Sequence, residues 1–216
     1  MLFQRYLDAL LAERAVGLTS LHDPEAVQRR HFVESLALGM RLQAAGVLNG
    51  LAIDIGSGAG LPGLPLAIVW PELRLTLLDA NARRSDFLRR VVDIIGLNGV
   101  EVVTARAEDL ARDPEHRERY DLALARALAP LPVLVELALP LLRVGGCLAT
   151  PKGSGARSEI AAAGPALAQL GGEIELVEPL PIESATPPQL VLVRKASGTP
   201  ERFPRRAGIP AKRPLR

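Results

Sequence analysis

The chain has 216 residues, which is enough for one full domain with a sizeable core and a small appendage. It contains no run of eighteen apolar residues, and the stretch after Met1 is mixed in polarity, so we expect neither a membrane span nor a secretory signal. The single cysteine, Cys147, excludes an internal disulfide and suits a reducing cytosol.

Charge is unevenly distributed along the chain. The net charge is only +2, but residues 194–216 contain eight Lys or Arg and one acid, Glu201, which leaves a net charge of −5 for the residues before them. A nearly neutral body with a strongly basic tail favours a polyanionic partner. The alternative is a solvated, disordered tail that keeps the protein soluble.

Two helices are predicted before the first strand. Residues 3–16 have an apolar face with helical spacing. The members of this face are Phe3, Leu7, Leu10 and Leu11. Asp23, Pro24 and Glu25 are an N-cap, a first-turn proline and a first-turn acid, so they predict a second helix that runs to about Arg41. We expect residues 1–46 to form an N-terminal helical cap.

From Leu51 onward, strands and helices are predicted to alternate. The predicted strands are 51–55, 73–79, 100–105, 120–125, 147–153, 172–181 and 188–196, and the predicted helices start at 62 or cover 81–95, about 133–143 and roughly 157–170. This alternation indicates right-handed crossovers and a parallel sheet covered on both faces. The last two strands leave no room for a helix between them, so they should form a hairpin with one antiparallel strand.

A glycine-rich loop, DIGSGAGLPGLP at 54–65, follows the first predicted strand. Gly58, Gly60 and Gly63 satisfy the dinucleotide pattern G-x-G-x-x-G, so the loop alone leaves two cofactor classes open, dinucleotides and S-adenosylmethionine. The second strand ends in Asp79, which could accept protons from both ribose hydroxyls. Because either cofactor has such a ribose, Asp79 does not discriminate between them.

Three features favour S-adenosylmethionine. Asp54 lies two residues before Gly56, where a carboxylate would repel a pyrophosphate but suits a sulfonium and an ammonium group. The third strand runs into residues 106–109, where an acid could receive the adenine amino group. The closing hairpin gives a seven-stranded sheet with one antiparallel strand. We therefore predict an α/β, Rossmann-like class I S-adenosylmethionine-dependent methyltransferase domain over residues 47–195, followed by a basic C-terminal tail, 196–216.

Several separate stretches resemble the RsmG (GidB) family, methyltransferases of the bacterial small ribosomal subunit. These stretches are LTSLHDPEAVQRRHFVESL, AIDIGSGAGLPGLPLAI, TLLDANARRSDFLRRV, ARAEDL, LARALAPL, TPKG and the tail RKASGTPERFPRRAGIPAKRPL. The resemblance covers nearly the whole chain. It implies methylation of N7 of guanine 527 of 16S rRNA, in a loop that contributes to the decoding site.

The resemblance also implies a set of cofactor-binding residues. Gly56 and Leu61 should border S-adenosylmethionine, Asp79 and Ala80 should meet its ribose, and Ala107 and Glu108 its adenine, while Arg126 should lie at the cofactor or substrate edge. Asp54 and Gly58 of the glycine loop complete the predicted cofactor set.

The implied reaction needs no general base, because guanine N7 has an in-plane lone pair and no proton. The end of the fourth strand, 125–127, agrees with this, since it is Ala-Arg-Ala and not the Asn/Asp-Pro-Pro-aromatic motif of methylases that act on exocyclic amines. We expect no catalytic acid–base residue and no metal. Arg126 should contact guanine O6, a phosphate or the cofactor carboxylate; the alternative is an arginine paired with a neighbouring acid.

An RNA substrate also requires cations that hold phosphates, because guanine N7 is accessible only in a loop or when splayed out. The predicted RNA-binding residues are Arg83, Arg84, Lys152, Arg205 and Arg206. Lys152 should lie on the rim of the site, at the carboxyl end of the fifth strand, whereas Arg83 and Arg84 could equally form a solvated helix face. His31 is expected to pack or cap rather than catalyse.

We expect a cytoplasmic monomer whose partner is 16S rRNA or the small ribosomal subunit, without a membrane. Two alternatives remain open at this point. One is a methyltransferase of a small molecule, and the other is a non-catalytic nucleotide-binding module that assembles on ribosomes.

Overall fold

The computed structural model describes residues 2–13, 16–18 and 23–216. Residues 14–15 of the first predicted helix and residues 19–22 of the N-terminal stretch that resembles the RsmG family lie outside the described residues. None of the helices within the described ranges is long and apolar enough to cross a bilayer.

A seven-stranded sheet forms the centre of the molecule, with strand order β3-β2-β1-β4-β5-β7-β6. The strands are β1 (Leu51–Ile55), β2 (Arg74–Asp79), β3 (Val100–Thr104), β4 (Tyr120–Leu124), β5 (Leu142–Lys152), β6 (Gly172–Pro179) and β7 (Gln189–Lys195). The first five pair in parallel, and β7 runs antiparallel to both β5 and β6. The predicted fold class, including its single reversed strand, is confirmed.

Helices cover both faces of this sheet. They are α1 (Leu2–Ala12), α2 (Pro24–Val27), a π-helical stretch (Gln28–Val33), α3 (Glu34–Ala44), α4 (Gly63–Val69), α5 (Ala82–Ile95), α6 (Ala107–Leu110), α7 (Leu131–Ala138), α8 (Ala156–Leu170) and α9 (Ile209–Lys212). Sequence chemistry explains the ends of α5: the Asn81 side chain accepts the N–H groups of Arg83 and Arg84, and Gly96 ends the helix with φ +69°.

The chain order of the strands creates a switch point at the carboxyl end of β1. Because β2 lies on one side of β1 and β4 on the other, the connections that leave β1 and β4 diverge to opposite faces of the sheet. Ligands of open α/β sheets bind in the crevice at such a point. The glycine loop after β1 therefore lies at the expected place for a cofactor.

The N-terminal helices pack onto the glycine-loop side of the domain. Asp23 caps the second helix by accepting the N–H of Ala26 at 2.7 Å, as its sequence predicts. The rings of Tyr6 and Phe32 stack with centroids 5.1 Å apart. The buried Tyr6 hydroxyl donates to the carbonyl of Ala59 at 2.7 Å, so α1 supports the glycine loop directly.

The C-terminal segment is folded against the body of the protein. Phe203 is buried, and the Arg205 guanidinium forms an ion pair with Glu136 of α7 at 2.6 Å. Arg117 donates to the carbonyls of Phe203 and Thr199 at 2.9 and 3.0 Å. These contacts contradict the alternative of a solvated, disordered tail.

Candidate functional site

A cavity of about 510 Å³ lies at the carboxyl ends of β1, β2 and β3. Five of the predicted cofactor residues line it: Gly56, Asp79, Ala80, Ala107 and Glu108. The wall is otherwise largely apolar, with Ile55, Leu78, Leu128, Ala129, Val133 and Leu137. This mixture of apolar surface and a few polar groups is typical of a small-molecule site.

The glycine loop needs its glycines for conformation and for space. Gly56, Gly58 and Gly60 all have positive φ values, +71°, +57° and +93°. A Cβ at Gly56 would also come within 2.6 Å of Leu128, and one at Gly60 within 2.3 Å of Leu64. The loop therefore follows a path that other residues would strain or obstruct.

Most N–H groups of this loop are bound within the protein. Gly56 and Ser57 both donate to the carbonyl of Leu78, and Gly60 donates to that of Ser57. Gly63 donates to the Asp54 carboxylate at 3.0 Å. A dinucleotide loop presents such N–H groups to a pyrophosphate, so their internal use argues against a bound diphosphate.

Asp79 is held in place by two backbone N–H groups. Its Oδ2 accepts from Gly58 at 2.9 Å, and its Oδ1 accepts from Asn81 at 2.8 Å. Each carboxylate oxygen keeps a second lone pair, so Asp79 can still accept a hydroxyl proton from a ligand. Gly58 itself does not line the cavity but orients this carboxylate.

Asp54 lies beneath the loop and does not line this cavity; it is 0% exposed. Its Oδ1 has no hydrogen-bond partner among the described residues. Burial raises the pKa of the Asp54 carboxyl to about 7, although the N–H of Gly63 and the charge of Arg126 oppose this shift. Leu61 is also buried away from the cavity wall. Both residues support the loop from behind.

A second cavity, of about 560 Å³, adjoins the first and shares Leu128 and Ala129 with it. Its charged or polar lining residues include Arg30, His31, Glu34, Arg126, Lys152 and Glu159. The helical cap contributes the first three, and the strand ends of β4 and β5 position Arg126 and Lys152. The cavity is therefore formed jointly by the cap and the sheet.

Arg126 joins the cap to the end of β4. Its Nη2 lies 2.5 Å from Nδ1 of His31, and its Nη1 lies 3.5 Å from Oε2 of Glu34. Burial, together with the charge of Arg126, lowers the pKa of His31 to about 4, so the imidazole is neutral at pH 7 and Nδ1 accepts the hydrogen bond. Arg126 therefore lies close to an acid, Glu34, as the alternative interpretation of the sequence proposed. It also lines the second cavity.

Lys152 lies at the carboxyl end of β5, as predicted, but its side chain is only 9% exposed. Its Nζ donates to the Ala129 carbonyl at 2.8 Å and lies 2.9 Å from Glu159 Oε2. Glu159 also accepts the N–H of Leu131 at 2.8 Å. Lys152 therefore holds the wall that the two cavities share, and its charge is paired.

The comparison with protein families decides the relationship of the chain. The family model described as "GidB: rRNA small subunit methyltransferase G" matches residues 1–180. The chain belongs to this family. The resemblance seen in the sequence is confirmed.

Relatives named Ribosomal RNA small subunit methyltransferase G match almost the whole chain. The protein of Chloroflexus aggregans is 48% identical over 214 residues, which are 99% of this chain and 89% of the relative. The proteins of Roseiflexus castenholzii and Leuconostoc mesenteroides are 46% and 41% identical, and each match covers 99% of this chain and 90% of the relative.

Solved structures agree on the fold. A crystal structure of an MtNAS mutant in complex with S-adenosylmethionine has a TM-score of 0.62 at 19% identity, covering 91% of this chain and 72% of that one. The structure of M. jannaschii TYW2 in complex with AdoMet has a TM-score of 0.55 at 15% identity, covering 74% of each chain. At these identities the likeness concerns the fold alone.

In this member of the methyltransferase G family, the predicted RNA-binding residues have different environments. Arg83 and Arg206 are exposed, and Arg84 is half-buried at the wall of the first cavity, 4.0 Å from Asp79. The Arg205 guanidinium, whose side chain is 26% exposed, is bound to the buried carboxylate of Glu136. Arg205 therefore has a partner within the protein, and a phosphate contact by this residue stays a prediction.

Sequence reasoning missed most of the apolar wall of the first cavity, and it also missed two residues far along the chain. Gly208 and Ala211 belong to the C-terminal segment, beyond the residues that the family model matches, yet both line this cavity. The N–H of Gly208 donates to Oε1 of Glu108 at 2.7 Å. A glycine that precedes a short proline-containing helix carries no signal of such a distant contact. Within the described ranges, no cluster of three or more His, Cys, Asp or Glu is suited to a metal ion.

Proposed function

We propose that the protein transfers the methyl group of S-adenosylmethionine to N7 of guanine 527 in 16S rRNA. The family description names the rRNA of the small subunit as the substrate class. The observation that carries the proposal is the pair of adjoining cavities with a shared wall of Leu128 and Ala129. One cavity suits the methyl donor, and the other suits a guanine base.

The first cavity fits S-adenosylmethionine in size and chemistry. Its volume of about 510 Å³ lies within the usual range for small-molecule sites. Asp79 would hold the ribose hydroxyls, and the apolar surface near Ala107 would hold the adenine ring. When bound, the cofactor supplies a methyl group made electrophilic by the adjacent sulfonium. In its ionised form, the buried Asp54 below the loop adds negative potential where that cation would bind.

The second cavity contains groups that can bind and orient a guanine base. Arg126 is a cation at its wall and can donate to guanine O6 or to a flanking phosphate, both of which are acceptors. N7 has no proton to remove, so the residues here orient the base instead of acting as a general base. The methylated purine carries a positive charge; the carboxylates of this cavity, Glu34 and Glu159, lie beside Arg126 and Lys152 and reduce the repulsion that these cations would exert on it. Holding two reactants in the correct orientation can contribute about 7–11 kcal/mol to the barrier reduction.

The RNA is held by exposed cations at the same edge of the sheet. Arg83 and Arg206 are exposed, and Arg84 borders the first cavity, so these three residues are the proposed phosphate contacts. The enzyme acts as a monomer in the cytoplasm, without a metal ion or a membrane.

The decisive experiment is methyl transfer from labelled S-adenosylmethionine to 16S rRNA, naked or in small subunits, from a strain that lacks this enzyme. We expect the label in rRNA, mapped to guanine 527, and no transfer to RNA that carries 7-deazaguanine at this position, since that base has no N7. Asp79→Ala serves as a control against contaminating activity, because it removes the predicted ribose contact. Label only in metabolites would indicate a small-molecule methyltransferase, and no label would indicate a non-catalytic module.

A further inference from the structure

The C-terminal segment after β7 is held to the body of the protein by hydrogen bonds and by an ion pair with a buried carboxylate. We call residues 199–213 the C-terminal clasp. The Arg205 side chain donates to both oxygens of Glu136 at 2.6 to 3.1 Å, and its backbone N–H donates to Oε1 at 2.9 Å. Glu136 is 0% exposed, so this carboxylate depends on Arg205 for its charge partner.

Three further anchors hold the first half of the clasp. Arg117 donates to the carbonyls of Thr199 and Phe203, and Arg112 donates to that of Pro204 at 2.5 Å. The N–H of Thr199 donates to Glu118 at 2.8 Å. The clasp thus uses side chains from the β3–β4 connection.

The second half of the clasp reaches that cavity. Gly208 donates its N–H to Glu108, and both Gly208 and Ala211 line the wall beside Ala107. Asp79, the proposed ribose ligand, lies at the end of β2, and the segment after neighbouring β3 carries Ala107 and Glu108. The clasp therefore forms the wall at the end of the cavity where the adenine would bind.

We propose that the C-terminal clasp is part of the cofactor site: it closes the adenine end of the first cavity and sets the affinity for S-adenosylmethionine, with Glu136 and Arg205 as its positioning pair. This inference rests on the proposed function in one respect, namely that the ligand is S-adenosylmethionine. On this proposal the basic C-terminal segment contributes to binding of the methyl donor. Its positive charge alone suggested only a role in RNA binding. The matched family region ends at residue 180, before the clasp begins.

The first test changes the wall without touching the anchors. Ala211→Trp places a large ring on an exposed residue that lines the cavity, and Ala196→Trp places the same ring on an exposed residue that precedes the clasp and does not line the cavity. We expect Ala211→Trp to weaken binding of S-adenosylhomocysteine at least tenfold by calorimetry, and Ala196→Trp to change it less than twofold. Methylthioadenosine, which lacks the amino-acid half, should lose affinity by a similar factor.

The second test releases the anchor. The double variant Glu136→Leu with Arg205→Leu removes the ion pair without leaving a buried charge, so the body should stay folded, as thermal unfolding will verify. We expect at least a tenfold loss of S-adenosylhomocysteine affinity, and partial recovery in Arg205→Lys, which retains one charge-assisted contact.

The outcomes separate this inference from the proposed function. If the unmodified protein fails to bind S-adenosylhomocysteine, the proposed cofactor is wrong. If the unmodified protein binds it, but Ala211→Trp and the double variant both bind within twofold of that value, the cofactor stands and the role of the clasp is overturned.

Discussion

Asp54 shows how one buried carboxyl group can link the cofactor loop to the pH dependence of stability. Its Oδ2 accepts the N–H of Gly63, while its Oδ1 has no partner among the described residues. Burial raises its pKa from 3.8 to about 7. Between these values the folded chain keeps a proton that the unfolded chain has released, so rising pH disfavours the folded state.

We therefore predict that Asp54→Asn changes the pH profile of stability. The free energy of unfolding of the unmodified protein should fall from about pH 4 to about pH 7 relative to that of Asp54→Asn, because the amide keeps an acceptor for Gly63 but does not ionise. Urea unfolding at a series of pH values measures this difference. Glu118 and Asp121, whose pKa values are lowered, are present in both proteins and cancel in the comparison. Parallel profiles would contradict the prediction.

Arg126 allows a second prediction at the residue scale. It lines the second cavity and not the first, so Arg126→Ala should reduce turnover on rRNA by about 100-fold, a typical cost for losing one positioned donor. The affinity for S-adenosylhomocysteine should change less than threefold. Single-turnover kinetics and calorimetry distinguish the two effects. Normal turnover with a large loss of cofactor affinity would place Arg126 at the cofactor instead.

The glycine loop is the element that places Gly56 at the wall of the first cavity and orients the Asp79 carboxylate there. Its path combines positive φ values with close approach to α4, because a Cβ at Gly60 would overlap Leu64. Its N–H groups bind internal acceptors, which gives the loop a fixed shape before any ligand arrives. This prior order reduces the entropy that ligand binding must overcome.

Gly60→Ala should therefore be more damaging than a substitution at a glycine that needs only its backbone conformation. Gly96 has φ +69° and open space around it, so Gly96→Ala is the matched control and should cost about 1–2 kcal/mol. Gly60→Ala adds the overlap with Leu64 and should cost about 1–3 kcal/mol more. Urea unfolding gives both values. Equal losses would show that Leu64 moves aside without cost.

At the scale of the whole molecule, function is concentrated at one edge of the sheet. Both cavities, the clasp and the end of the helical cap meet where the parallel strands end. Arg83 and Arg206 are exposed residues of segments that border this edge, while Arg74 lies at the start of β2, on the opposite edge. A splayed RNA loop would meet the first two cations but not the third.

The salt dependence of RNA binding tests this arrangement. Each phosphate contact in a single strand contributes about 0.7 to the slope of log affinity against log salt, so the double variant Arg83→Ala with Arg206→Ala should lower the slope by about 1.4. Arg74→Ala should leave it unchanged, because that residue lies at the amino end of its strand. Filter binding to 16S rRNA at several salt concentrations provides the slopes. A loss of slope in Arg74→Ala alone would place the RNA on the other edge.

Much of the fold could be predicted from the sequence because its signals are local. Strand and helix periodicities, the cap at Asp23 and the stop at Gly96 each depend on residues a few positions apart. The short gap between the last two strands required a hairpin, and β7 is indeed antiparallel. Asp79 could be placed at the cofactor cavity from the sequence because it is the last residue of β2, the neighbour of β1, and ligands of this topology bind at the carboxyl ends of such strands.

The sequence by itself determined the alternating elements, the position of the cofactor loop and the family resemblance. Only the tertiary structure decided which charges are paired and which face a ligand. Arg205 and Glu136 are 69 residues apart, and Gly208 and Glu108 are 100 apart, so no local pattern relates them. The role of a buried charged side chain depends on which group of opposite charge lies beside it. The packing of the complete chain determines that group.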